Sequence, residues 1–267
     1  MSERKFYFIS GLPRSGSTLL CNILAQNPRF HATSTSGILE IMYMVRNQWD
    51  KLVEFQASPD DEAKLAVIRG ILYSYHEKVE KPVVFDKSRG WLAYLEMVKA
   101  ALREEPKVLV PVRDLRDVLA SFEKLYRNNA HLFQPAPEGQ PQTYFDWQTL
   151  EGRCRIWASN SQPVGLAYNR IKDALDRGWG KSVCFVPYEV LTADPEKVMK
   201  DVYTFLGEEY YSGHDFNNVE QVTHENDFVH GFRNLHTIRQ KVEPQPPSWP
   251  KVLGTKVADL FKGQEIW

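Results

Sequence analysis

The chain has little of what marks several protein classes. Only three of its 267 residues are cysteine. Cys21, Cys154 and Cys184 show neither metal-ligand nor redox spacing, so buried thiols in a reducing compartment are expected rather than a disulfide framework. No run approaches the ~18 consecutive apolar residues of a membrane span. The opening MSERKFYFIS reads as charges followed by a first strand, not as a secretory leader. A cytoplasmic location is therefore the expectation. The net charge is only −1, which excludes a bulk polycation. No nucleic-acid partner is expected, and any highly charged ligand must meet cations gathered locally. No internal repeat is visible. What remains is ordinary for a globular chain, 43% apolar and 25% charged. The length suits one α/β domain over 1–267 with a helical or loop lid.

Strand-like and helix-like segments alternate. Strands are expected at 6–9, 83–85, 108–112 and 183–186. Helical periodicity follows at 19–24, 38–55, 65–75, 91–102, 115–126, 146–177 and 195–206, with Pro163 breaking or kinking the sixth and Gly207 stopping the last. Residues 128–145 are rich in Pro, Gln and Gly without periodicity, which suggests a lid-like loop. Residues 243–250 (EPQPPSWP) are expected to be irregular. Alternation of this kind predicts a parallel sheet covered on both faces. Ligands of such sheets bind beyond the carboxyl ends of the strands.

Polar residues gather at those ends. After the first strand comes Gly11, then Pro13, Arg14, Ser15, Gly16, Ser17 and Thr18. Strand, tight loop and helix in that order aim backbone N–H groups and a helix dipole at one anion. The loop is G-x-x-x-x-G-S-T, one residue short of the triphosphate signature G-x-x-x-x-G-K-[ST]. Ser17 stands where the lysine belongs, and Arg14 has been added. After the second strand come Asp86, Lys87, Ser88 and Arg89. Arg113 follows the third, with Ser121 roughly two turns up the next helix. Tyr188 and Glu189 follow the fourth. A guanidinium stays charged and offers two fixed donors to a phosphate. The bland alternatives are a surface Arg113 pairing with Asp114 or Asp117 and a solvated Lys87. The run VVFD also resembles the strand that holds magnesium in phosphate-loop enzymes, a reading weakened by the lost lysine.

Taken together, these segments resemble the sulfotransferases that use 3′-phosphoadenosine 5′-phosphosulfate (PAPS), in the broad group that includes bacterial and tyrosylprotein enzymes. GLPRSGSTLL resembles the family's 5′-phosphosulfate loop, and PVRDLRDVLAS its 3′-phosphate motif. FDKSRGWL is similar to the segment bearing a catalytic lysine, VPYEVL to the strand end whose tyrosine meets adenine, and TIRQKVEP to the basic segment that closes over the phosphates. The motifs fall in family order across nearly the whole chain. The resemblance implies a P-loop-like α/β fold and in-line, metal-independent transfer of a sulfuryl group to a hydroxyl or amine, leaving 3′-phosphoadenosine 5′-phosphate (PAP). It implies donor contacts from Pro13, Arg14, Ser15, Gly16, Ser17, Thr18, Arg113, Ser121, Tyr188, Arg239 and Lys241. Lys87 and Arg14 would stabilise the leaving oxygen.

The sequence departs from these relatives at the base that activates the acceptor. TSTSGILE occupies the region where the tyrosylprotein enzymes carry a glutamate. Glu40 is the nearest carboxylate, and His31 and His76 are the other candidates. The six-residue spacing of His224, His230 and His236 would not place neighbours on one helical face, so no metal is expected there. Trp147, Trp157, Trp179 and Trp249 read as core or lid packing. The acceptor, a small molecule, glycan or peptide, would meet loops at 33–44 and 128–147. Two other readings stay open, a phosphate-loop kinase or nucleotide hydrolase and a catalytically silent PAP-binding module.

Overall fold

Alternation along the strands decides how the layers form. In the computed structural model, which describes residues 4–129 and 146–267, β1 (Lys5–Ile9) points Phe6 and Phe8 into one core and Tyr7 and Ile9 into another. β3 (Val83–Lys87) and β4 (Val108–Val112) divide in the same way, Val84 and Val110 to the first side, Phe85 and Leu109 to the second. Side chains alternate with period two, and both faces are covered, so the strands read as continuous apolar runs. The described residues form a five-stranded sheet in the order β2-β3-β1-β4-β5, where β2 is Phe30–Thr35 and β5 is Val183–Pro187. Every pairing is parallel.

The helices follow from this. α1 (Ser17–Ala25) packs its Leu20, Ile23 and Leu24 on the second face. α2 (Ile38–Trp49), α4 (Asp61–Tyr75), α5 (Leu95–Leu102) and α6 (Leu115–Asn129) build the first face. α7 (Leu150–Ala158) and α8 (Pro163–Asp176) complete it. Past the short α9 (Tyr188–Ala193), α10 (Pro195–Leu206) returns to the second face and stops at Gly207, which has φ 72°. No helix among the described residues is long and apolar enough to cross a membrane.

The strands expected at 6–9, 83–85, 108–112 and 183–186 are present, each with a boundary shift of no more than two residues. β2 had no expectation. FHATST is mostly polar, and it becomes a strand because its backbone pairs with β3, which propensity alone does not reveal. The helix expected over 38–55 ends at Trp49, and a separate turn, α3 (Val53–Ala57), follows. The helix expected over 146–177 is divided. Thr149 caps α7 by accepting from the Gly152 amide, and Pro163 opens α8 at the position where a missing N–H costs nothing. The lid-like loop expected at 128–145 lies outside the described residues from 130 onward.

Residues 207–248 form a strap rather than a layer. Val219 N donates to Gln240 O and Val242 N to Phe216 O, so its two limbs are tied at the base. Its first limb is held by α1. The buried Asn22 side chain accepts from the Val222 and Thr223 amides and donates to Thr223 Oγ1. His214 anchors the start, with Nε2 3.0 Å from Tyr203 Oη and Nδ1 3.2 Å from Gln26 Oε1. Burial pushes its pKa from 6.5 down to about 4. Between those values the unfolded chain binds a proton that the folded chain refuses. Stability should therefore rise with pH through this window and fall as pH drops from 6.5 towards 4. Thermal melts of the wild type and His214→Gln across that range check this, and the variant is expected to show the shallower slope.

Candidate active site

The strand order reverses between β1 and β4, whose chains continue towards opposite edges of the sheet. A crevice must open beyond their carboxyl ends. A cavity of about 510 Å³ lies there, lined by the turn after β1, the ends of β3 and β4, the start of α9, and the strap. The loop leaves β1 pressed against β4. A Cβ at Gly11 would stand 2.2 Å from the Pro111 carbonyl oxygen, so only glycine passes. Pro111 has no N–H to give, but its carbonyl accepts from Leu12 N. Ser15 Oγ donates towards Leu12 O (2.5 Å) and Pro111 O (2.9 Å). The Ser15 side chain is thus spent on fixing the loop and does not line the cavity.

The loop ends at Gly16, with φ 86°, and α1 begins with no side-chain cap and no acidic residue in its first turn. Its unpaired first-turn amides and dipole face the cavity, an arrangement suited to an anion. Pro13, Arg14, Gly16, Ser17 and Thr18 all line it, as do Lys87, Arg113, Tyr188, Arg239 and Lys241. Arg14 is held with φ 61°, in the left-handed region that non-glycine residues seldom occupy. Its Nε donates to Ser121 Oγ at 3.0 Å, and its Nη1 donates to the Leu235 carbonyl of the strap. Ser121 therefore orients Arg14 from outside the lining. Arg113 Nη1 donates to Arg14 O at 3.4 Å. Its guanidinium lies 4.5 Å over the Tyr188 ring. Arg113 Nε is buried without a hydrogen-bond partner, since Glu189 stands 4.0 Å away. Burial, then the neighbouring Arg113, lower the pKa of Arg14. Arg14 and Arg113 both line the cavity, and guanidinium groups gathered there suit a bound oxyanion.

Lys87 sits where β3 ends, its side chain 7% exposed, and Nζ donates to Glu225 Oε1 at 2.8 Å. The same Glu225 oxygen accepts from Thr35 N (2.8 Å) and Thr35 Oγ1 (2.9 Å). Burial raises the Glu225 carboxyl, but the hydrogen bond and charge of Lys87 outweigh it and the net direction is downward. Across the carboxylate, Oε2 faces His236 Nε2 at 3.5 Å and His230 Nε2 at 3.8 Å. His236 Nδ1 lies 2.6 Å from Asp227 Oδ1. His230 and His236 meet through a 3-10 turn at Asp227–His230, not along a helical face. Among the described residues, no group of three or more His, Cys, Asp or Glu side chains could hold a metal ion. Glu225, Asp227 and His236 had no sequence expectation as a set, because their neighbours are supplied by a strap with no periodicity.

The candidate bases from the sequence lie elsewhere. Glu40 is exposed on the outer side of α2, whose Ile38, Leu39 and Met42 turn inward, and it does not line the cavity. His31 lies near the start of β2, the end away from the cavity. His76 is buried and contacts Asp86 Oδ2 at 3.1 Å, while Trp91 Nε1 donates to Asp86 Oδ1 at 3.0 Å. Asp86 therefore faces the core, away from Lys87, which disposes of the magnesium-strand likeness. Lys241 lines the cavity and pairs with Glu243 at 2.9 Å. A Cβ on Gly16 would approach the Tyr188 ring to 2.6 Å on top of its positive φ. Gly16→Ala is expected to cost about 1–3 kcal/mol, read as a lowered urea midpoint at unchanged slope.

Comparison with known proteins fits this geometry. The sulfotransferase domain from the curacin biosynthetic pathway is 18% identical, with a TM-score of 0.53 over 98% of this chain and 92% of that one. The sulfotransferase domain of the Synechococcus PCC 7002 olefin synthase is 19% identical, with a TM-score of 0.49 over 98% and 96%. A mouse sulfotransferase complexed with PAP is 16% identical, with a TM-score of 0.49 over 98% and 82%. At such an identity the likeness to the curacin-pathway domain speaks for the fold alone. No curated protein matches the chain. A sulfotransferase family model matches residues 7–212, from β1 to beyond α10, and on that match the chain belongs to the sulfotransferase family.

Proposed function

We propose that the chain transfers a sulfuryl group from PAPS to a hydroxyl or amine acceptor without a metal, releasing PAP. The observation that carries this is the convergence of Arg14, Arg113 and the uncapped N-terminus of α1 on one cavity whose floor holds Lys87. The donor is a polyanion, and this cavity gathers Arg14, Lys87, Arg113, Arg239 and Lys241 in one lining. Pro13, Gly16, Ser17 and Thr18 with the first-turn amides would hold the phosphosulfate, while Ser15 keeps the loop in shape. Arg113, which lines the cavity, would bind the 3′-phosphate, and Tyr188 would meet the adenine. Arg239 and Lys241, on the second limb of the strap, would close over the phosphates. A mouse sulfotransferase of similar fold class binds PAP, which is in keeping with this reading.

Chemically, the demand is positioning and charge stabilisation. The acceptor oxygen attacks sulfur in line with the departing oxygen, on which negative charge grows. Lys87 and Arg14 would stabilise that oxygen. Lys87 is already desolvated, so its charge acts in a medium of low dielectric, where it is worth more than in water. Glu40, exposed and outside the lining, takes no part in this proposal. The acceptor is a small molecule, glycan or peptide entering on the side of His230 and Phe232.

The tests follow from the division of roles. Lys87→Ala is expected to lower turnover by ~10²–10³ with PAP affinity little changed. The double variant Lys87→Ala with Glu225→Gln, which leaves no stranded carboxylate, controls for stability. Arg113→Ala is expected to weaken PAP binding by roughly 10–100-fold, the loss of a charge-assisted contact, measured by calorimetric titration. Turnover that survives EDTA supports metal-free transfer, whereas its abolition by EDTA points to a kinase-like enzyme. Near-normal turnover in Lys87→Ala would refute the assigned role.

A further inference from the structure

We propose that His236 accepts the proton of the sulfated hydroxyl, with Asp227 as the residue that fixes its tautomer. The inference rests on the sulfotransfer reading above. It does not come from the family match, which ends at residue 212, whereas both residues belong to the strap. The geometry points to His236 through three observations. Its Nδ1 meets Asp227 Oδ1 at 2.6 Å, so the proton of the neutral ring resides on Nδ1 and the lone pair on Nε2. His236 lines the cavity, and its Nε2 lies 3.5 Å from Glu225 Oε2, the carboxylate whose other oxygen holds Lys87 Nζ. A single carboxylate thus separates the basic nitrogen from the ammonium that stabilises the leaving oxygen. Asp–His pairs of this form orient a general base and stabilise the cation it becomes.

The groups facing the ring are Glu225, Asp227 and His230 of the strap and Lys87 from β3, with Arg14 tied to the adjacent Leu235 carbonyl. Burial lowers the His236 pKa, and the charge of Lys87 adds to that, against the raising effects of Asp227 and Glu225. The ring is therefore neutral at pH 7 and ready to take a proton. Asp227 is held ionised: burial raises it, and the hydrogen bond from His236 overcomes this. Glu225 is the weaker base, since its carboxyl is held low by Lys87 and three donors already share Oε1. Of the other candidates, His76 is enclosed with Asp86, and neither His31 nor Glu40 reaches the cavity.

In the step itself, the bond between the acceptor oxygen and sulfur forms as the bond between sulfur and the bridging oxygen breaks. The electron pair of the broken bond stays on the bridging oxygen of PAP, beside Lys87. The acceptor proton passes to His236 Nε2, and Glu225 Oε2, 3.5 Å away, stabilises the imidazolium until the proton leaves to solvent.

The experiment measures PAP release from PAPS between pH 5 and 9 with water and with 4-nitrophenol as acceptors, alongside PAP titration and thermal melts. The wild type should lose activity with water as pH falls through a limb below the ordinary histidine value. His236→Asn and His236→Gln should lower this rate by ~10²–10⁴ and remove the limb, at unchanged PAP affinity and melting temperature. The 4-nitrophenol reaction, whose acceptor ionises near neutral pH, should be spared at high pH. Asp227→Asn should move the limb and shift the His236 ring away from the Nδ1–H tautomer in nitrogen-detected NMR. Retention of rate and limb in both His236 variants overturns the proposal, as does loss of the limb in Glu225→Gln alone. PAP binding without turnover of either acceptor overturns it while sparing the donor site. Absence of PAP binding by the wild type instead overturns the donor reading on which it rests.

Discussion

Gathering like charges in a crevice is the constraint from which the rest of this structure follows. Arg14 and Arg113 lie side by side, and Lys87 is nearly enclosed. Each loses hydration, and no part of the sheet supplies the opposite charge at the mouth. The cations are held by partial arrangements instead, Arg14 on Ser121 and a strap carbonyl, Arg113 over an aromatic ring with Asp117 3.7 Å away, Lys87 on Glu225. A buried lysine without such a partner would be costly. The strap is therefore an electrostatic part of the crevice as well as its cover.

The same constraint explains the division of labour among hydroxyls. A tight loop beside a parallel strand exposes carbonyls that need donors, and Ser15 answers two of them. Ser17 and Thr18 remain in the lining because they begin α1 and face the other way. At Asp117 a carboxylate accepts from Ser248 and Trp249 while standing 3.7 Å from Arg113, so the final segment is pinned beside the arginine that follows β4.

Much of this was legible in the sequence, for a physical reason. The parallel strands are buried on both faces and leave unbroken apolar runs, and the loop after β1 has so few conformations that glycines and small polar residues mark it. Arg113 and Lys87 were readable because strand ends are. The rest depended on partners far away in the chain. β2 hides because FHATST carries polar residues that only pairing with β3 explains. Asp86 looked available until Trp91 and His76 enclosed it. Glu225, Asp227 and His236 lie in a stretch without periodicity, and their meeting depends on backbone ties between 216–219 and 240–242.

Asn22 carries a consequence for how such a chain is inherited. An amide buried in the apolar face of α1 has no meaning within the first half of the sequence, yet it satisfies Val222, Thr223 and the Thr18 carbonyl together. Helix α1 and the late strap are thereby one structural unit, although some two hundred residues separate them. Recombination that exchanged either piece alone would strand a buried amide or two backbone donors. Lineages of this protein should therefore trade the two segments together or not at all.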